Sequence, residues 1–138
     1  MNIGIIGSRS RNTNQDKKQV EQVLLKLLEQ HGRVTIVSGG CPKGGDKFAE
    51  ELAHKYQLPI IIHLPDKSKL PANPQRWHFA QINYERNQLI ARDSAILIAL
   101  VANDRKGGTE NTIYHFIKTY KKDISSMYIL ENERGFDL

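Results

Sequence analysis

Val34-Thr35-Ile36-Val37-Ser38-Gly39-Gly40-Cys41-Pro42-Lys43-Gly44-Gly45-Asp46 holds, in order, a strand and the loop that ends it. Val34 to Val37 is a short apolar run rich in β-branched residues, closed on its far side by glycines and a proline. Phe48, Ala49, Leu52, Ala53 and Tyr56 follow at the spacing of one buried helix face. The stretch therefore predicts a strand, a glycine-rich loop and an amphipathic helix in direct succession.

The same unit recurs on either side. Upstream, Asn2 to Ile6 predicts a strand ending in Gly7-Ser8-Arg9, and the polar stretch Ser10 to Gln15 predicts a turn, with a helix soon after it. Val20, Val23, Leu24, Leu27 and Leu28 form one apolar stripe, which Gly32 terminates. Downstream, Pro59 to Leu64 predicts a third strand. The prolines of Pro65 to Pro74 predict a loop, and Arg76 to Arg92 a helix. Ala95 to Val101 reads as a buried strand. After it come the loop Asn103 to Gly108, a helix with Ile113, Phe116, Ile117 and Tyr120 on one face, and a last strand around Met127 to Leu130. Strands alternating with amphipathic helices imply right-handed crossovers and a parallel sheet covered on both faces. About five strands in the order 3-2-1-4-5 are expected, with ligands bound at their carboxyl ends. Gly7-Ser8-Arg9 and Gly107-Gly108-Thr109 then face each other across one crevice.

The 138 residues suit a single domain spanning 1–138. Hydrophobic residues at 39% and charged residues at 25% match a folded globular chain rather than a disordered or fibrous one. The longest apolar runs are strand-sized and the amino terminus carries no charged region before a short apolar stretch, so neither secretion nor membrane insertion is expected. Cys41 is the single cysteine, which excludes an internal disulfide and fits a reducing compartment, the cytoplasm. A net charge of +5 favours anionic partners, although dispersed lysines on a solvated surface account for it equally well.

Glycines let backbone N–H groups reach a phosphate at a helix start, a need that Ser38-Gly39-Gly40 and Gly44-Gly45 meet. A tight turn with Asp46 as an acidic cap is the alternative reading. Asp46 stands where a Walker A loop needs lysine, and Gly4 and Gly7 do not make the dinucleotide fingerprint, so P-loop hydrolysis and ordinary NAD chemistry are excluded. Ser38 is in no nucleophile elbow. The five histidines show no paired ligand spacing and one cysteine completes no zinc set, so no metal is expected. Thr109 is either a phosphate ligand or a helix cap. Arg86 offers a bidentate guanidinium or forms a surface ion pair with Glu85 or Asp93. Trp77, Phe79 and Tyr84 can stack on a base, or pack in the core or a lid.

Taken together, Gly7-Ser8-Arg9, Ser38-Gly39-Gly40 with Gly44 and Asp46, Arg86-Asn87, and Gly107-Gly108-Thr109 with Thr112 resemble the SLOG superfamily. That group unites DNA-processing protein A, the Lonely Guy phosphoribohydrolases and small YspA-like proteins, and the similarity runs from Ile3 to about Ile117. The resemblance implies a Rossmann-like three-layer α/β sandwich that binds a nucleotide or nucleotide-derived phosphorylated ligand at the carboxyl edge of the sheet. By matching motifs, Gly7, Ser8, Arg9, Ser38, Gly39, Gly40, Gly44, Asp46, Arg86, Asn87, Gly107, Gly108, Thr109 and Thr112 become the ligand- and phosphate-binding candidates. No cofactor is implied.

Lonely Guy enzymes cut the N-glycosidic bond of nucleoside monophosphates and carry Gly-Gly-x-Gly-Thr-x-x-Glu with a functional glutamate. Aligning their Gly-Thr with Gly108-Thr109 puts Thr112 at that place. A threonine cannot act as a carboxylate base. Glu110 lies about 200° around the helix from Thr112 and is expected to point elsewhere. This departure resembles the YspA-like branch and implies binding or sensing, with weak N-glycosidase or deoxyribosyltransferase-like turnover as the enzymatic version and no catalytic residue assigned. A single-stranded nucleic-acid binder resembling DNA-processing protein A is the alternative. Net positive charge favours it, and the lack of a basic stripe with interleaved aromatics opposes it. A homo-oligomer, with a dimer favoured, is expected, and no membrane partner.

Overall fold

The computed structural model describes residues 1–132, so the last six residues of the expected domain lie outside the described ones. Among the described residues five strands form one parallel sheet, as the alternation of strands and helices predicts, in the expected order β3-β2-β1-β4-β5. They are β1 (Asn2–Gly7), β2 (Thr35–Ser38), β3 (Ile60–Ile62), β4 (Ile96–Leu100) and β5 (Met127–Leu130). The connecting helices are α1 (Asn14–His31), α2 (Gly45–Lys55), α3 (Arg76–Asp93) and α4 (Gly108–Tyr114). The architecture is Rossmann-like.

Side chains alternate across a strand, so β1 and β4 feed two cores. Ile3, Ile5, Ile98 and Leu100 join Val20, Leu24 and Leu27 of α1 and Phe48 and Leu52 of α2 on one face. Ile6, Leu97 and Ala99 join Ile90 and Ala91 of α3 and Phe116 on the other. β4 is buried along its whole length, which is why its sequence reads as unbroken apolar residues rather than alternating ones. β3 keeps three residues of the six expected. It is an edge strand pairing only with β2, and Pro59 has no N–H to extend a ladder.

Two boundaries differ from the sequence pattern. α1 begins at Asn14, inside the polar stretch read as a turn, because Thr13 and Asp16 make a reciprocal capping box: the Asp16 N–H donates to Thr13 Oγ1 and the Thr13 N–H to Asp16 Oδ2, both at 3.1 Å. The last helix keeps its regular form only to Tyr114. It then widens over His115–Thr119, where the Tyr120 N–H reaches back to the His115 carbonyl at 3.0 Å.

Arg11 was not legible as a core residue, yet among the described residues it is the bulkiest fully buried side chain, 2% exposed. Its guanidinium donates to Asp16 Oδ1, to the Val101 and Leu130 carbonyls, each at 2.8 Å, and to Gln19 Oε1. One side chain thus joins the start of α1 to the ends of β4 and β5. Burial pushes the Asp16 carboxyl up, but hydrogen bonds from Arg11 and Thr13 outweigh it and hold the group below the ordinary carboxylate value.

Two outcomes follow. A Cβ on Gly45 would overlap the Ile6 carbonyl carbon and the Gly7 nitrogen, so Gly45→Ala should lower stability by about 1–3 kcal/mol in urea denaturation. Asp16→Asn strands a buried guanidinium and should cost about 3–5 kcal/mol at neutral pH. The folded-state carboxyl titrates below its unfolded value, so Asp16 contributes fully above about pH 4 and less as pH falls through the lower folded value. Stability of the two proteins against pH should therefore converge on the acid side.

Candidate functional site

Three glycines bring the first two loops together over the carboxyl end of β1. Gly45 rests on the Ile6–Gly7 backbone, while a Cβ on Gly7 would come within 2.8 Å of Leu100 Cβ. Gly44 has φ +72° and lies against the Ser8 carbonyl, a conformation and an approach that favour glycine. The Gly44 N–H is fixed by Asn12 Oδ1 at 2.8 Å. The two loops are therefore one interlocked unit.

Beside it lies a cavity of about 410 Å³ between β1, α3 and the start of α4. Of the residues expected to bind ligand, Gly7, Ser8, Arg9, Asp46, Arg86, Asn87, Gly107, Gly108, Thr109 and Thr112 line it. Ser38, Gly39, Gly40 and Gly44 do not. Gly7-Ser8-Arg9 and Gly107-Gly108-Thr109 do share one crevice. A second hollow of about 530 Å³ also has Ser8 and Lys106 on its wall, which makes Lys106 a rim residue between the two.

The second loop turns inward on itself. The Cys41 N–H donates to Asp46 Oδ2 at 3.1 Å, and the Gly39 N–H also supports the same carboxylate. Asp46 is thus an acidic cap within its own turn, and its carboxylate takes up the Cys41 and Gly39 N–H groups. Only 8% of Asp46 is exposed. Burial is the largest influence on its carboxyl and raises its pKa, against the opposing effects of Cys41, Arg86 and Gly39. Ser38 is fully buried, its Oγ donating to the Asp46 carbonyl and accepting from the Gly40 N–H, both at 3.4 Å.

Arg86 forms no pair with the neighbours suggested by its sequence position. Glu85 binds Lys69 at 2.9 Å, and Asp93 binds Arg92 and His63 at 2.8 and 2.7 Å. Arg86 instead donates to the Gly39 carbonyl at 2.5 Å and to Asn87 Oδ1 at 3.0 Å. Its burial weakens its hold on its proton, the charge of Arg9 adds to that, and Asp46 opposes it. Arg9 is exposed and, like the side chain of Lys106, has no ion pair among the described residues. Three cations therefore line a cavity that holds one carboxylate, Asp46.

Asn87 is buried and spends its amide on the scaffold, donating to the Gly108 carbonyl at 3.3 Å and to Asn111 Oδ1 at 3.2 Å. Thr112 Oγ1 donates to the Gly108 carbonyl of its own helix at 3.2 Å. Glu110 points away, as its angle around the helix predicts, and is held by Arg105 through two contacts of 2.9 Å. Trp77, Phe79 and Tyr84 are all exposed rather than core, and among them only Tyr84 lines the cavity. Cys41, Ala80, Asn83, Ile90 and Lys106 also line it and were not singled out from the sequence. The spacing of Ala80, Asn83, Asn87 and Ile90 along one helix face was the signal available for most of them.

Among the described residues no three His, Cys, Asp or Glu side chains come together to hold a metal ion, and no helix is long and apolar enough to cross a membrane. Residues 5–69 match the family described as YAcAr: YspA, cpYpsA-related SLOG family. The match spans Gly7-Ser8-Arg9 and the second glycine loop, and stops before α3. No curated protein and no solved structure matches the chain.

Among the described residues Asp46 is the only carboxylate lining the cavity, so its charge opposes any anion there. Asp46→Asn should bind sulfate about 3- to 10-fold more tightly at pH 8, measured by calorimetry. Because the carboxyl titrates above its ordinary value of 3.8, the wild type should take up its proton as pH falls into the window between those two values. Its sulfate affinity should then approach that of the variant.

Proposed function

Because its residues 5–69 place the chain in the SLOG superfamily, on the YspA-like branch, we propose that it binds a nucleotide or nucleotide-derived phosphorylated ligand in the cavity at the carboxyl edge of the sheet. The observation that carries this reading is the charge imbalance: Arg9, Arg86 and Lys106 around one carboxylate, with Arg9 and Lys106 unpaired among the described residues. Unpaired cations flanking a concave site attract anions and supply charge-assisted hydrogen bonds to phosphate oxygens. The first turn of α4 adds N–H groups without intrahelical acceptors at Gly108 and Thr109, on the same wall.

Binding without rapid turnover is the form of this function that the residues favour. Hydrolysis of an N-glycosidic bond needs a carboxylate beside the sugar. Thr112 takes the place of the Lonely Guy glutamate, Glu110 is committed to Arg105, and Asp46 is held by its own loop. A sensor or carrier of the ligand fits this set better than an enzyme does.

Calorimetry with ribose 5-phosphate and with nucleoside monophosphates tests the reading, and a single-stranded oligonucleotide tests the nucleic-acid alternative. Arg9→Ala and Lys106→Ala should each weaken binding of the small phosphates by about 1–3 kcal/mol while leaving thermal stability nearly unchanged. Loss of stability with unaltered affinity would make both residues structural. Chromatography of each monophosphate after prolonged incubation should show release of base slower by about 10²–10⁴ than an enzyme with a positioned carboxylate gives. Rapid release abolished by Glu110→Ala would transfer the catalytic role to that residue.

A further inference from the structure

Among the described residues β3 pairs only with β2, which leaves its outer edge open. The Ile36 N–H donates to the Pro59 carbonyl and the His63 N–H to the Ser38 carbonyl, both at 2.9 Å. Backbone groups alternate between the two edges of a strand, so Pro59, Ile61 and His63 serve β2, while Ile60, Ile62 and Leu64 turn their N–H and C=O groups outward. Natural edges are guarded by charge, proline, bulges or shortness. Here Gln57 to Pro65 holds no Asp, Glu, Lys or Arg, Pro59 and Pro65 both fall at positions turned toward β2, and the register with β2 runs without a bulge. Shortness is the one guard left. The side chains of this edge are apolar and open, with Ile61 and Ile62 each 38% exposed and Leu64 65%. Ile62 and Leu64 lie side by side over Gly40. Phe79, also exposed, stands two turns before Arg86 on the same line of α3, and Arg86 reaches the Gly39 carbonyl, so the ring is on the side of α3 that faces this loop. The opposite edge differs, since all four β5 side chains are partly buried.

We propose that this edge binds a second copy of the chain, β3 against β3 in antiparallel register across a two-fold axis, joining the two sheets into one. An axis at Ile62 pairs that residue with its own counterpart and sets Ile60 opposite Leu64 of the partner subunit, so each outward N–H meets a carbonyl. Ile60, Ile62 and Leu64 of both copies then share one face. A chain of net charge +5 meets its own copy without repulsion only on an uncharged face, and Gln57 to Pro65 is one. Ile60 to Pro65 with Phe79 offers roughly 400–500 Å² per copy, or about 800–1,000 Å² for the pair, which is below the standard interface and in the range of transient association. The dimer is therefore weak and reversible. Antiparallel pairing turns the carboxyl edges of the two sheets to opposite sides, so both cavities stay open.

Sedimentation velocity of the full chain, from about 5 μM to about 1 mM, tests the interface, and the wild type should pass from monomer to dimer across that range. Ile62→Lys sets like charges directly opposite each other on the axis and should raise the dissociation constant by about 10- to 100-fold, as should Ile62→Glu. Because Ile62 meets itself, an equimolar mixture of the two variants should regain the dimer that neither forms alone. Hydrogen exchange of the wild type needs no substitution: the Ile62 and Leu64 N–H groups should exchange more slowly at high protein concentration than at low. A monomer throughout the range, a dimer that survives Ile62→Lys, or assemblies larger than a dimer would overturn the proposal. So would a mixture of the variants that stays monomeric, or protection gained on another face and not at Ile62 and Leu64.

Discussion

The packing of Gly45 on the backbone of Ile6 and Gly7 is the contact on which the cavity depends. A helix axis and a strand end come this close only where no Cβ stands between them. Gly7 answers from the other side, wedged between Gly45 and Leu100, and Gly44 closes the crossing against the Ser8 carbonyl. The result is a pair of loops that cannot slide independently. Ser8 and Arg9 are therefore presented at a fixed angle beside α3, although Arg9 itself is exposed. Gly44 and Gly45, read from the sequence as phosphate-cradling, take part in this interlock.

Arg11 and Arg86 show how one residue type takes opposite parts. Arg11 is buried, pairs with Asp16, and spends its remaining donors on carbonyls at the ends of β4 and β5. Nothing is left over for a ligand. Arg86 is only partly enclosed and has one backbone carbonyl and one amide oxygen as hydrogen-bond acceptors, with Asp46 and a second guanidinium, Arg9, as electrostatic neighbours. Two like charges facing a hollow oppose each other, and an anion between them would relieve that opposition. Arg11 ties the ends of β4 and β5 to α1, whereas Arg86 and Arg9 face the cavity.

The fold was legible because its signals are periodic. The stripe Val20, Leu24 and Leu27, the run Ile96–Leu100 and the glycine breaks each repeat or interrupt a pattern that has one geometric meaning. The same alternation implies a parallel sheet with right-handed crossovers, and the order 3-2-1-4-5 is one of several arrangements that these allow. The site was legible only in part. Arg9, Arg86 and Gly108 stood out through motifs, but Arg11 lies in a polar stretch where a buried cation leaves no periodic trace. Ser38, Gly39, Gly40 and Gly44, expected at the ligand, do not line the cavity and lie at the loop that Asp46 caps. A glycine run reports freedom of the backbone, and it does not report what the freed N–H groups will bind.

The matched segment ends at residue 69, and the division has a physical counterpart. Residues 5–69 supply the interlocked loops, Asp46 and Arg9, which form one side of the cavity mouth. Asn83, Tyr84, Arg86 and Lys106 come from beyond it. A helix wall can change its lining residues one by one without disturbing the glycine crossing, since none of Ala80, Asn83 or Tyr84 touches Gly44 or Gly45 through a Cβ-free contact. The α3 wall is therefore built from side chains that the glycine crossing does not constrain, whereas the loop wall is fixed by the backbone contact itself.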